Sequence, residues 1–295
     1  MCLVAMALGQ SPRFPVVMAS NRDEFFERPA AGLDWWTPPG GGPALLAGRD
    51  LRAGGTWFGL NAAGRLALVT NVRAPSAVRD AAPSRGELVV HWLRSEASFD
   101  ACWREWAGAG YNGFNLVAAD LAAREWTWAS NTGLPPQRLV TGLYGLSNAA
   151  LDTPWPKTER LKRQLGAALQ SSEAEESAEA LAFRLFDALA DRRIAADTDL
   201  PTTGIPLDRE RELSSAFIRT TDGRYGTRCS TVLISERIEG RSITQVFERS
   251  FDNGEPGALR RFRLLDWPPA PGATAQAEAG VPDAPPAQAG ADRRP

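Results

Sequence analysis

The sequence predicts an α+β fold of antiparallel sheets with the helices segregated from them. Three observations carry this. Strand-like runs come first, helical runs occupy the middle, and strands return near the end, an order unlike regular βαβ alternation. The first run is apolar on both faces, as in a strand covered from both sides. No Gly-x-Gly-x-x-Gly or Walker pattern opens a nucleotide-binding βα unit. The chain has 295 residues, room for one large domain or two small ones. We place a single domain over 1–267. From 268 to 295 Ala, Pro and Gly dominate, with Val281 the only large aliphatic residue. Such a segment buries too little to offset its ordering entropy, so a disordered tail is expected.

The elements follow in order. Residues 1–9 and 14–20 read as strands joined around Gln10 to Arg13. In the first, Cys2, Val4, Met6 and Leu8 share one face and Leu3, Ala5 and Ala7 the other. Trp57 to Asn61 and Arg65 to Asn71 form a hairpin about Ala62, Ala63 and Gly64. Ser84 and Glu87 have capping-box spacing ahead of the stripe Leu88, Val89, Trp92 and Leu93. A second helix spans roughly Phe99 to Ala107. Strands are expected at Phe114 to Asp120, Arg124 to Ser130 and Leu143 to Asn148. Leu161, Leu165 and Leu169, then Leu181, Leu185 and Leu189, recur every fourth residue and mark two helices. Leu200 to Leu213 is punctuated by Pro and Gly and reads as a surface loop. Strands return at Ala216 to Thr220, Arg228 to Ser235 and Ser242 to Phe251.

Composition removes several function classes. The 33 basic and 35 acidic side chains leave a net charge of -2, with no electrostatic footprint for nucleic acid. The opening apolar run is too short to span a membrane and lacks the basic start of a signal peptide, so a cytoplasmic location is the default expectation. One histidine, His91, and three cysteines outside any Cys-x-x-Cys pair exclude a disulfide scaffold and a Cys/His zinc site of usual spacing. No metal is expected. Lysine is equally scarce, at Lys157 and Lys162 only. A mechanism that needs no histidine therefore gains weight.

Cys2 fits that requirement. Initiator methionine is commonly removed when the second residue is small, which leaves a cysteine carrying a free α-amine, nucleophile and base in one residue. Such an amine titrates at about 7.7–8.0 and takes the thiol proton without an imidazole. The competing reading is a small hydrophobe at the head of a buried strand. If the first two strands pair, Ser20 to Glu24 lie near Cys2. Arg22 then holds a thiolate or a substrate carboxylate and Asp23 orients the α-ammonium, unless both belong to a strand-end salt-bridge cluster. Asn71 and Asn148 end strands and are either amide donors to an oxyanion or turn residues. Arg228 is either an anion ligand or a structural ion pair. His91 is either a helix residue paired with Glu87 or, as the only imidazole, an axial haem ligand; the helical pattern favours the first. The ten tryptophans read as core and pocket wall rather than a cofactor box.

Several ordered blocks resemble the NRDE family, that of transport and Golgi organisation protein 2. They are Met1-Cys2, Ala19 to Pro29 (with Asn21-Arg22-Asp23-Glu24), Gly54 to Asn61, Ser84 to Leu88, Tyr111 to Leu116 and Tyr225 to Thr231. They extend over roughly residues 1–265. The resemblance implies an N-terminal-nucleophile hydrolase-like fold, a four-layer αββα sandwich of two antiparallel sheets between helical layers. More distantly, the chain is similar to the bile-salt hydrolase and penicillin V acylase group. That likeness implies a site of Cys2, Arg22, Asp23, Asn71, Asn148 and Arg228, with Arg219 as the alternative to Arg228. The Arg22–Asp23 spacing is tighter here than in that group. The activity implied is hydrolysis or transfer of an acyl group from a linear amide, with a small-molecule substrate and no cofactor. Relatives have been linked to haem trafficking and to lipid or acyl-CoA metabolism, which implies the alternative of a non-catalytic carrier of haem or another hydrophobic ligand.

Overall fold

Opposite faces of β1 (Cys2–Leu8) feed two different cores. Val4, Met6 and Leu8 point into one apolar cluster, and Leu3, Ala5 and Ala7 into another. Every residue from Leu3 to Leu8 is buried, as the doubly apolar pattern requires.

The computed structural model describes residues 2–171, 176–269 and the backbone of 276–278. After β1 come β2 (Val16–Phe25), β3 (Ala30–Trp36), β4 (Leu45–Asp50), β5 (Phe58–Asn61) and β6 (Arg65–Asn71). Two helices follow, α1 (Gly86–Arg94) and α2 (Phe99–Trp106), then β7 (Phe114–Asp120), β8 (Glu125–Ser130), β9 (Gln137–Arg138) and β10 (Gly142–Leu146). Helices α3 (Pro156–Gln170), α4 (Ala178–Leu189) and α5 (Leu207–Glu212) precede β11 (Tyr225–Ile238), β12 (Arg241–Asp252), β13 (Glu255–Leu265) and β14 (Gln276–Glu278).

The strands make two antiparallel sheets. One runs β10-β1-β2-β11-β12-β13-β14, the other β3-β4-β5-β6-β7-β8-β9. Between them lies a core drawn from both, including Val4, Met6 and Leu233 from the first and Leu46, Phe58 and Val117 from the second. The outer face of the first sheet packs on α3 and α4 through Leu161, Leu165, Leu181 and Leu185. That of the second packs on α1 and α2 through Leu88, Val89, Leu93 and Phe99. The layers are therefore helix, sheet, sheet, helix, the expected αββα sandwich. No described helix is long and apolar enough to cross a membrane.

Helix ends follow local chemistry. Ser98 Oγ accepts from Ala101 N and Ser177 Oγ from Ala180 N, capping α2 and α4. Pro156 opens α3, where its missing N–H costs nothing. The expected capping box at α1 does not form. Arg85 is the N-cap residue, with no side-chain cap, and Ser84 offers its carbonyl to Glu87 N. The start of α1 is set instead by docking, since Thr56 N donates to the Gly86 carbonyl at 3.2 Å.

Two further expectations are corrected. Ala216 to Thr220 is not a strand and carries one isolated bridge, Arg219 to Gly226. Its backbone is satisfied elsewhere: Phe217 N donates to the Asp191 carbonyl, and Ile218 N to Thr227 Oγ1. The expected loop at 200–213 contains α5 and buries Glu210. In the segment expected to be disordered, Pro269 is buried and Gln276–Glu278 pair with β13; residues 270–275 and 279–295 lie outside the described residues. Strands β3, β4 and β13 carried no clear period-2 signal because charged or Gly residues interrupt their apolar runs.

Candidate active site

The β1–β2 hairpin places Cys2 directly opposite Arg22. A cavity of about 270 Å³ opens there, and Cys2, Arg22, Asp23 and Asn71 all line it. Its other walls come from Glu24, Arg28, Asp50, Trp57, Arg85 and Gly86, among others. A second hollow of about 610 Å³ shares Glu24, Arg28, Asn71 and Arg85 and continues past Ile205, Leu213 and Tyr225.

Cys2 is half-buried, and burial pushes its thiol above the usual range, with the Asp23 carboxylate acting in the same direction and the Arg22 guanidinium against it. Arg22 is buried, lies 4.2 Å over the Trp57 ring and donates to Asp50 Oδ2 at 3.4 Å. Its Nη1 has no hydrogen-bond partner among the described residues. Asp50 also accepts from Arg28 Nε at 2.6 Å and from the backbone of Arg52 and Ala53. Those bonds outweigh its burial and hold its carboxyl below the ordinary carboxylate value.

Asp23 is fully buried. Burial raises its carboxyl, opposed first by the Lys157 cation and also by the hydrogen bond from Thr227 Oγ1 at 2.7 Å. Tyr225 Oη donates to the Asp23 carbonyl at 2.9 Å. The Tyr225 to Thr231 block thus clamps the backbone and side chain of Asp23. Arg228 is the extra residue of a bulge, since Thr227 pairs with Asp23 and Cys229 with Arg22. The bulge turns Arg228 out of the site. Its Nη1 donates to the carbonyls of Phe25, Phe26 and Arg28 and so fastens the turn after β2. Neither Arg228 nor the exposed Arg219 lines the cavity.

Asn71 and Asn148 are joined. Asn148 Nδ2 donates to the Asn71 carbonyl at 2.9 Å, and Asn148 is buried and does not line the cavity. Ser147 Oγ lies 3.2 Å from both the Cys2 carbonyl and Asn148 Oδ1 and donates to one or the other. The Asn71 amide makes no hydrogen bond among the described residues and is open to a ligand. His91 is exposed on α1 and does not line this cavity.

The Gly54-Gly55-Thr56-Trp57 block has a steric basis. Gly54 adopts φ +78°, and a Cβ at Gly55 would lie 2.6 Å from the Gly86 carbonyl carbon. Close backbone approach there lets α1 close the cavity wall. Gly55→Ala is expected to cost about 1–3 kcal/mol by overpacking, read as a lower urea midpoint at unchanged slope.

Sequence reasoning did not single out Asp50, Arg73, Lys157 or Glu210. For Lys157 a signal existed in the scarcity of lysine; for the others only three-dimensional proximity reveals the connection.

Two facing antiparallel sheets, each backed by a helix pair, with a cysteine heading the first strand, make this an αββα sandwich protein. The family model for Transport and Golgi organisation 2 matches residues 1–253. The chain belongs to this family. It is 34% identical over 253 residues to the Transport and Golgi organization 2 homolog of Mus musculus, covering 79% of this chain and 88% of the mouse protein. With the Bos taurus homolog it shares 33% identity over 272 residues, 87% of this chain and 95% of the other. Among solved structures, a mutant conjugated bile acid hydrolase from Clostridium perfringens aligns at 8% identity and a TM-score of 0.49, covering 95% of this chain and 97% of that one. A Caenorhabditis elegans N-acylethanolamine-hydrolyzing acid amidase ortholog aligns at 9% identity and a TM-score of 0.43, covering 79% and 92%.

Proposed function

We propose that the protein is a cysteine-dependent amidohydrolase or acyltransferase that cleaves a linear C–N amide bond of a small molecule. The observation that carries this reading is the placement of Cys2 in the 270 Å³ cavity, directly opposite Arg22 and beside Asp23 and Asn71. Removal of Met1, which lies outside the described residues, leaves Cys2 with a free α-amine. That amine takes the thiol proton, and the thiolate attacks the amide carbonyl. The Asn71 amide donates to the oxyanion, held in place by Asn148 through its carbonyl. The α-ammonium returns the proton to the leaving amine as the C–N bond breaks, forming a thioester. Water, or a second nucleophile, then releases the acyl group and regenerates the thiol. Arg22 supplies a buried positive charge beside the sulfur, and Asp23 orients the amine.

The cavity around Cys2 is lined mainly by charged and polar groups, which suits a polar amide better than haem or a fatty chain at that point. The adjoining hollow, with Ile205, Leu213 and Tyr225, takes the less polar part of the substrate. Intact-mass measurement of the purified protein is the first test. A mass lacking the initiator methionine is expected; retention of Met1 blocks the α-amine and removes this reading. Incubation with a panel of linear N-acyl amides then seeks a Cys2 thioester adduct.

A further inference from the structure

Lys157 is the anomaly of the fold. It is one of two lysines in the chain, yet only 2% exposed. Its Nζ has no hydrogen-bond partner among the described residues. It stands in the first turn of α3, where the helix dipole disfavours a cation. The void beside it measures about 10 Å³, room for at most one water, and is lined also by Arg73, Trp155 and Glu210. A buried cation that is neither paired by a hydrogen bond nor well hydrated destabilises the fold, so packing does not account for it.

Its electrostatic neighbours do. Helix α3, which carries Lys157, packs over β1, which carries Cys2 and pairs with β2, the strand of Asp23; from there the Lys157 cation opposes the effect of burial on Asp23. Resting on the hydrolase reading above, we propose that Lys157 is a positioning residue of the Cys2 site: its charge balances Asp23, so that the α-amine of Cys2 is free to be a neutral base. Without Lys157, the Asp23 carboxylate holds that amine as an ammonium, a form unable to take the thiol proton.

The surrounding charges are consistent with this division. Arg22 on β2 faces the sulfur but is engaged by Asp50 and stacked on Trp57. Arg73, after β6, is committed to Glu210 of α5 at 2.5 Å. From β11, Thr227 hydrogen-bonds Asp23, and Tyr225, held protonated by burial, reaches its carbonyl. Glu24 and Arg85 lie on the cavity side and oppose one another in sign. Among the described residues, Lys157 is left as a buried cation with no carboxylate hydrogen-bonded to it. Burial lowers its own titration to about 8, so its charge is present at neutral pH and fades above pH 8.

The test uses the full chain and needs no substrate. Rates of Cys2 alkylation by iodoacetamide are measured against pH by peptide mass spectrometry in the wild type, Lys157→Met and Lys157→Arg. Removing the charge is expected to move the midpoint of the reactivity profile up by at least about half a pH unit, about threefold slower alkylation below the midpoint. Arginine, keeping the charge, restores the wild-type midpoint. In an Asp23→Asn background, the Lys157→Met shift is expected to shrink. Methionine in a buried, unpaired lysine position is expected to fold at least as well as the wild type; should it not, Lys157→Gln reads the same midpoint. A folded variant with an unmoved midpoint, in protein whose mass shows Met1 removed, overturns this proposal alone. A retained Met1 overturns the hydrolase reading and this proposal together.

Discussion

Replacing Cys2 by alanine is expected to abolish amide turnover, by at least about 10⁴-fold, while leaving the fold intact. The sulfur is the only nucleophile the proposed pathway supplies, and no neighbour replaces it. Cys102 is a core-facing residue of α2 itself, and Cys229 is buried on the far side of Arg22, its thiol pushed well up by burial. Neither lines the cavity. The substitution itself is mild, because Cys2 is half-buried at a strand end and alanine keeps the β1 pairing with Arg22. The check is turnover of any amide the wild type cleaves, with circular dichroism confirming the fold. Residual activity within tenfold of wild type assigns the reaction elsewhere and removes Cys2 from it.

Glu210→Gln is expected to destabilise the protein by about 3–5 kcal/mol. Glu210 Oε2 meets Arg73 Nη1 at 2.5 Å with both side chains more than nine-tenths buried. Its other oxygen accepts from Thr203 N at 3.0 Å and Thr203 Oγ1 at 2.6 Å. Glutamine keeps the shape but leaves Arg73 as an uncompensated charge beneath Trp155, whose ring lies 4.9 Å from the guanidinium. The consequence reaches the cavity, because Arg73 N donates to the Asn148 carbonyl at 2.8 Å and Asn148 holds Asn71. Urea unfolding reads the stability as a lower midpoint at unchanged slope. A loss below about 1 kcal/mol means the pair is solvent-screened rather than a buried clamp.

Both predictions turn on groups that the sequence presents unequally. Cys2 and Arg22 are legible from the chain alone, since two short apolar runs with one turn between them pair as a hairpin and register then brings positions 2 and 22 together. The doubly apolar β1, the 58–71 hairpin and the four-residue leucine spacings of α3 and α4 are local periodicities of the same kind, set by backbone geometry within a few residues. The blocks around Asn21, Gly54 and Tyr225 mark which stretches matter without saying what they touch.

What tertiary structure decided is long-range. Asn148, just past β10 of one sheet, donates to the carbonyl of Asn71 at the end of β6 of the other, a contact that exists only in the assembled sandwich. Arg228 is turned away by a bulge, an insertion in register that no residue type announces. Glu210, in a stretch whose Pro, Gly and charges read as solvent-exposed, is buried because α5 folds over Arg73. Lys157 and its scarcity are visible in the composition, but its burial depends on α3 packing over β1. A periodic pattern records which face of an element is dry. It does not record which distant charge that face will meet, and at this site those meetings set the chemistry.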